Sequence, residues 1–154
     1  MGHPVPEAVR TATWREPVRP EWIDYNGHLS EAYYVLVFGH ATDEVMERVG
    51  LGVAYRDRTS SSLFTVESHI RYLDQVSGGS ELEVRSTLVG AASKKLHLWH
   101  EMWVGDSLKA TEEVLGVHVD VRAGRATELP GEVVALVAGL LADPPEQAGR
   151  SIRL

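Results

Sequence analysis

The sequence predicts an α+β fold, with one long amphipathic helix wrapped by a curved antiparallel sheet of about five strands. A strand-like stretch opens the chain, and a single helical periodicity of about five turns follows it. The apolar period then falls to two through four successive segments joined by short turns. Four strands in a row make an antiparallel meander, and the one long helix must cover one of its faces. Such a unit leaves edge strands and part of its helix uncovered, so a homodimer or homotetramer is expected.

Each element has its own signal. Residues 8–20, "AVRTATWREPVRP", mix β-branched and polar residues as a first strand, and Pro17 and Pro20 mark an edge or an exit from the sheet. The helix starts at an N-cap, Ser30, with Glu31 placing negative charge in the first turn, and stops at Gly50. Tyr34, Val37, Phe38, Ala41, Val45 and Val49 recur along it at spacings of three and four, while Asp43, Glu44, Glu47 and Arg48 cover the other side. In "SLFTVESHIRYL", alternation places Phe64, Val66, Ser68, Ile70 and Tyr72 on one face and Thr65, Glu67, His69 and Arg71 on the other. "ELEVRSTLVG" follows a Gly78-Gly79 turn. "KKLHLWHEMWV" and "ATEEVLGVHVDV" complete the meander, with Gly116 predicting a bend or bulge. A short apolar helix, 131–142, follows Pro130. All 154 residues read as one domain with its core at about 8–122.

The totals exclude several functions. Fifteen basic against 22 acidic residues give a net charge of −7, which argues against nucleic acid as a general partner. With no cysteine there is no thiolate nucleophile, iron–sulfur cluster or Cys-based zinc site. His97 and His100 lie three apart on a strand and so point to opposite faces, which argues against a shared metal. Ser60, Ser61 and Ser62 lack a nucleophile elbow. No apolar run approaches the roughly 20 residues of a membrane span, and "MGHPVPEAVR" lacks the apolar core of a secretory signal, so a cytoplasmic protein without membrane contact is expected.

The segment that carries chemistry is "EWIDYNGHLSEAYY", residues 21–34. A turn feeding a helix N-terminus offers unpaired N–H groups and the positive end of the helix dipole, which suit a developing oxyanion. Asp24, six residues before the N-cap, adds a carboxylate that can act as nucleophile or as base for water. The same residues also make an ordinary Asx-turn with a tight Asn-Gly step, and spacing alone leaves both readings open.

"DYNGHLSEAYY" before a long helix resembles the D-x-x-G-H-hydrophobic-N signature of hotdog thioesterases of the 4-hydroxybenzoyl-CoA type, over about residues 8–122. Together with "FTVESHIRYLD" and "KKLHLWHEM", it is similar to the betainyl-CoA thioesterases of carnitine degradation. Ser30 stands where many relatives carry Asn. The resemblance implies an acyl-CoA substrate, no cofactor beyond the coenzyme A of that substrate, and Asp24 as the catalytic carboxylate. Backbone N–H groups over Leu29, Ser30 and Glu31 would polarise the carbonyl. Asn26 and His28 would orient the turn or touch substrate.

On that resemblance, Glu67, Ser68 and His69 could reach the Asp24 site of a neighbouring subunit; otherwise they are a solvated alternation. Tyr25, Tyr33, Tyr34, Phe38, Trp99 and Trp103 form two aromatic segments that the fold is expected to bring together. Aromatic faces with an acid (Glu31, Glu67 or Glu101) suit a quaternary ammonium, although aromatic stripes are more often core. Ser93, Lys94 and Lys95 read as a solvated hairpin end, or as a grip on coenzyme A phosphates. Aromatic or fatty acyl-CoA thioesters, or ligand binding without catalysis, are the alternatives.

Overall fold

The computed structural model describes residues 10–149 and 152. Helix α1 runs Glu31–Val49, the span that the apolar spacing predicts, and buries Tyr34, Val37, Phe38, Ala41, Val45, Met46 and Val49. Gly50 ends it at φ +83°, a left-handed conformation that costs a glycine little. Phe38 is wholly buried, and removing a side chain of that size from water stabilises the fold by roughly 2–3 kcal/mol.

The sheet consists of β1 (Ala12–Pro17), β2 (Ser61–Tyr72), β3 (Glu81–Ala92), β4 (Lys95–Val104) and β5 (Ser107–Asp120). Its order is β1-β3-β4-β5-β2, antiparallel throughout, with a two-residue strand β6 (Arg125–Ala126) beside β5. The first strand is thus shorter than expected; residues 8 and 9 of that expectation lie outside the described part of the chain. Leu98, His100, Met102, Val114 and Ala110 turn towards α1 and are buried against it. Helix α3 (Gly131–Leu140) closes the far end of the core with Val133 and Val137. This is the hotdog arrangement that the order of elements predicts.

Two features depart from the pattern. Helix α2 (Val53–Thr59) was not anticipated, because its N-terminal cap is remote in sequence: the Val53 N–H donates to Glu47 Oε1 of α1 at 3.0 Å. In β2, strict alternation fails. The pairing slips between Thr65 and Glu67, opposite Gly116 and Leu115, so Val66 is an extra, bulged residue. Leu63 packs on the core before the bulge, and Ile70 does so after it, while Phe64 and Val66 are 44% and 58% exposed. The expectation that Phe64 and Val66 share a face with Ser68 and Ile70 is therefore corrected.

Gly116 is the partner that makes room for this geometry. A Cβ there would meet Leu63 Cγ at 2.7 Å, too close for real atoms. Gly116→Ala is expected to destabilise the protein by ~1–3 kcal/mol, read as a lower urea midpoint. Leu63→Ala in the same chain should make the combined loss smaller than the sum of the two single losses.

Candidate active site

The turn before α1 is held almost entirely by main-chain bonds. The Asp24 N–H donates to the His28 carbonyl at 2.9 Å, and the Gly27 N–H donates to the Asp24 carbonyl at 3.0 Å. Gly27 sits at φ +80°, which explains the glycine. The Asn26 N–H donates to Asp24 Oδ1 at 2.8 Å, so the Asx-turn is real and fixes the carboxylate. Asp24 nevertheless lines an open cleft of about 520 Å³, together with His28, Leu29, Glu31, Tyr34, Tyr72, Leu73, Asp74 and Gln75. The two readings of the turn are thus compatible.

The backbone donors need a correction. The Leu29 N–H is taken by the Val76 carbonyl at 2.8 Å, and the Ser30 N–H by the Trp22 carbonyl at 2.9 Å. Neither can serve an oxyanion without breaking a bond that anchors the turn. Among the described residues, the N–H groups of Glu31 and Ala32 have no backbone acceptor; the Tyr33 N–H reaches the Ser30 carbonyl at 3.0 Å. Of the three expected donors, Leu29, Ser30 and Glu31, only Glu31 keeps an open N–H, and Ala32 joins it. Ser30 holds the N-cap position by its extended backbone, but its side chain makes no capping bond.

The far wall of the cleft comes from the end of β2 and the loop after it. Tyr34 and Tyr72 meet edge to face, with centroids 5.0 Å apart and planes at 88°. Burial raises both phenols above their ordinary pKa, aided at Tyr34 by Tyr72 and Asp74 and at Tyr72 by the carboxylates of Glu31 and Glu112. The Asp74 carboxyl is held below its usual range by its bond to Lys109, whose Nζ lies 2.6 Å away. The cleft is thus aromatic and acidic, and Lys109 neutralises one acid at its rim.

Other expected residues are scattered. Tyr25 is 97% exposed at the tip of the turn, and Asn26 is exposed and contributes only its main chain. Tyr33 stacks on Trp22 at 5.4 Å and 15°, away from the cleft. Ser68 lines a groove between α1 and β2, whereas Glu67 and His69 take the opposite parity. Trp99, Glu101 and Trp103 do not join the helix-side aromatics. They alternate with Leu98, His100 and Met102, lie buried on the other face of the sheet, and line a cleft with Pro145, Glu146 and Gln147. Trp99 and Glu101 are therefore corrected, because strand parity sends them away from α1. Ser93, Lys94 and Lys95 sit at the β3–β4 hairpin, where the Ser93 and Lys94 carbonyls accept from Leu129 and His118. The Asp24 cleft lies at the opposite end of the sheet, a strand length of roughly 30 Å away, so these residues cannot grip a coenzyme A bound in the same chain's cleft.

Sequence reasoning missed the polar groups beneath α1. His100 is fully buried, and Thr42 and Ser86 bracket it. The Thr42 hydroxyl donates to the Phe38 carbonyl at 3.0 Å, so it accepts from His100 Nε2 at 2.9 Å. In a neutral ring with its proton on Nε2, Nδ1 is the acceptor and Ser86 Oγ donates to it at 2.7 Å. Burial pulls its pKa down to about 3. Beside it in register stands Glu112, 5% exposed, its carboxyl pushed up to about 7 by burial. The only sequence signal was parity: positions 100 and 112 fall on the helix side of their strands.

A cleft that joins a fixed carboxylate to free helix N-terminal donors is equipped for acyl transfer, and the chain belongs to the thioesterase-like superfamily, which it matches over residues 18–137. It is 43% identical to the betainyl-CoA thioesterase of Pseudomonas aeruginosa, over 92% of this chain and 94% of that one. It is also 36% identical to the L-carnitine dehydrogenase/betainyl-CoA thioesterase of Ruegeria pomeroyi, over 86% of this chain and 28% of that longer protein. A Staphylococcus aureus protein solved in complex with CoA superposes with a TM-score of 0.85 at 27% identity, covering 92% of this chain and 94% of that one.

Proposed function

We propose that the protein hydrolyses betainyl-CoA to glycine betaine and coenzyme A. The observation that carries this reading is the cleft that holds the Asp24 carboxylate and Glu31, whose N–H, like that of Ala32 next to it, has no backbone acceptor. The thioester carbonyl oxygen points at those two donors, where the dipole of a 19-residue helix favours the charge that develops on it. Asp24 then attacks the carbonyl carbon, expelling the CoA thiolate and leaving an anhydride for water to open, or it takes a proton from water that attacks in its place. The substrate assignment leans on the likeness to the betainyl-CoA thioesterase of Pseudomonas aeruginosa. The acidic, aromatic cleft suits a cationic acyl group.

The working unit in this reading is a homodimer paired along β2. That strand is one of the two edges of the sheet, opposite β1, and it leaves Phe64 and Val66 exposed on the face away from the groove. The test is thiol release from a panel of CoA esters. Betainyl-CoA is expected to give the highest kcat/KM, at least about tenfold above acetyl-, benzoyl- and decanoyl-CoA, a difference of about 1.4 kcal/mol. A flat panel would refute the substrate, and no thiol release from any ester would refute catalysis.

A further inference from the structure

Glu31 enters the Asp24 cleft in two ways. Its N–H has no backbone acceptor, and the residue lines the same cleft as Asp24, Tyr34, Tyr72 and Asp74. Burial, and after it the Glu31 carboxylate, hold the Tyr72 phenol above its ordinary pKa, so the acid lies close enough to be felt across the cleft. Of the two rings that meet edge to face there, Tyr34 is buried and Tyr72 is exposed, which makes Tyr72 the ring that a bound molecule can touch.

The other acids of the cleft are committed. On the reading above, Asp24 must meet the carbonyl carbon or the attacking water, and Asp74 is paired with Lys109 at 2.6 Å. Among the described residues, Glu31 takes part in no ion pair. An acid in the first turn of a helix favours the dipole, but that role takes no account of the substrate. An unpaired acid beside an exposed aromatic ring is also what a cation clothed in methyl groups requires.

Resting on the reading given under Proposed function, we propose that the Glu31 carboxylate, with the ring of Tyr72, seats the quaternary ammonium end of the acyl group, while the N–H of the same residue holds the thioester oxygen. One methylene separates the carbonyl carbon from the quaternary nitrogen of a betainyl group. A carbonyl oxygen bonded to the Glu31 N–H at ~2.9 Å therefore leaves the ammonium nitrogen at most about 7 Å from the Glu31 nitrogen. The side chain starts from that same residue, so its carboxylate reaches the cation without any movement of the backbone. The methyl groups of the ammonium carry no donor, and the acid and the aromatic face recognise it by charge alone. The seat selects a cationic acyl group over a neutral one of the same shape. Glu31 is exposed, so water screens the contact and the selection it gives is modest.

The neutral isostere 3,3-dimethylbutanoyl-CoA, with carbon in place of the quaternary nitrogen, tests this directly. The ratio of kcat/KM for betainyl-CoA to that for the isostere is measured in wild type, Glu31→Gln and Glu31→Lys, so that any loss common to both esters cancels. The ratio is expected to fall at least about threefold in Glu31→Gln. Reversing the charge in Glu31→Lys should about square that factor, to roughly tenfold. Tyr72→Leu should lower the ratio by about twofold, and Tyr72→Phe, which keeps the ring, should preserve it. A ratio that Glu31→Gln leaves unchanged overturns the proposal, and one that Tyr72→Leu leaves unchanged overturns the part given to the ring. A second readout needs no turnover. The ketone analogue of betainyl-CoA with a methylene between sulfur and carbonyl has no thioester to cleave, and its binding is compared by calorimetry with that of its neutral tert-butyl counterpart. Tighter binding of the cationic analogue in wild type, lost in a folded Glu31→Gln, supports the seat; equal binding of the two in wild type, or a preference that survives Glu31→Gln, overturns it. If wild type hydrolyses neither ester but shows this preference through Glu31, the thioesterase reading fails and the cation seat stands. If it hydrolyses both and Glu31→Gln leaves their ratio unchanged, the seat fails and the thioesterase reading stands.

Discussion

Replacing Asp24 by asparagine is expected to lower kcat for CoA-ester hydrolysis by ~10³-fold or more, while the thermal midpoint stays within about 2 °C of wild type. The two halves of this expectation have separate causes. An asparagine carbonyl oxygen still accepts the Asn26 N–H that Asp24 Oδ1 accepts at 2.8 Å, and the main-chain bonds of Asp24 to Gly27 and His28 do not involve its side chain. The turn should therefore survive. What goes is the negative charge, without which the group can neither attack a thioester nor take a proton from water. Thiol release and differential scanning fluorimetry on one preparation check both halves. Activity within tenfold of wild type in a folded variant would remove Asp24 from the mechanism.

The buried pair beneath α1 should write itself into the pH profile of stability. Glu112 keeps its proton in the folded chain up to about 7, whereas in the unfolded chain it ionises near 4.5. The stability this brings is complete below 4.5 and is lost as pH rises through 7, in total roughly 3 kcal/mol. His100 works in the other direction. It stays neutral in the fold down to about 3 but takes a proton near 6.5 once unfolded, so its contribution is complete above 6.5 and is lost as pH falls towards 3. Between 4.5 and 6.5 the two slopes oppose each other, and a broad plateau is expected there, with declines on both sides. Glu112→Gln removes one slope only: urea midpoints should then rise with pH from 4.5 to 6.5 and no longer fall between 6.5 and 7. A variant whose profile overlays that of wild type would show that Glu112 does not titrate in this window.

How much of this could be read from residues alone depends on the range over which each feature is decided. Helix α1 was legible to the residue, because its signals, the 3–4 spacing and Gly50, are local. The turn that holds Asp24 was legible for the same reason: it closes within five residues. Of the expected oxyanion donors Glu31 keeps an open N–H, whereas Leu29 and Ser30 are taken by carbonyls at Val76 and Trp22 that no local pattern shows. Strand faces were read correctly in β4, where alternation is unbroken, but not in β2, where the Val66 bulge shifts the phase. Trp99 was assigned by residue type instead of by parity, and parity decided where it went. Glu112 and His100 showed only their parity, because an acid and a base in a strand look alike whether water or a helix faces them.

The stitching of the turn also sets what can change without loss. Its closure runs through main-chain groups, tied to the loop after β2 at Val76 and Ser77 and to Trp22. Tyr25, at the tip, touches water on almost every side, and Asn26 lends only an amide hydrogen. A saturation library over residues 24–28 should therefore be permissive at 25 and 26 and closed at 24 and 27. Tinkering with reactivity and tinkering with the exposed rim are uncoupled in this protein, so a tag, a dye or a tether can be placed at position 25 while the acid three atoms of backbone away stays where it is.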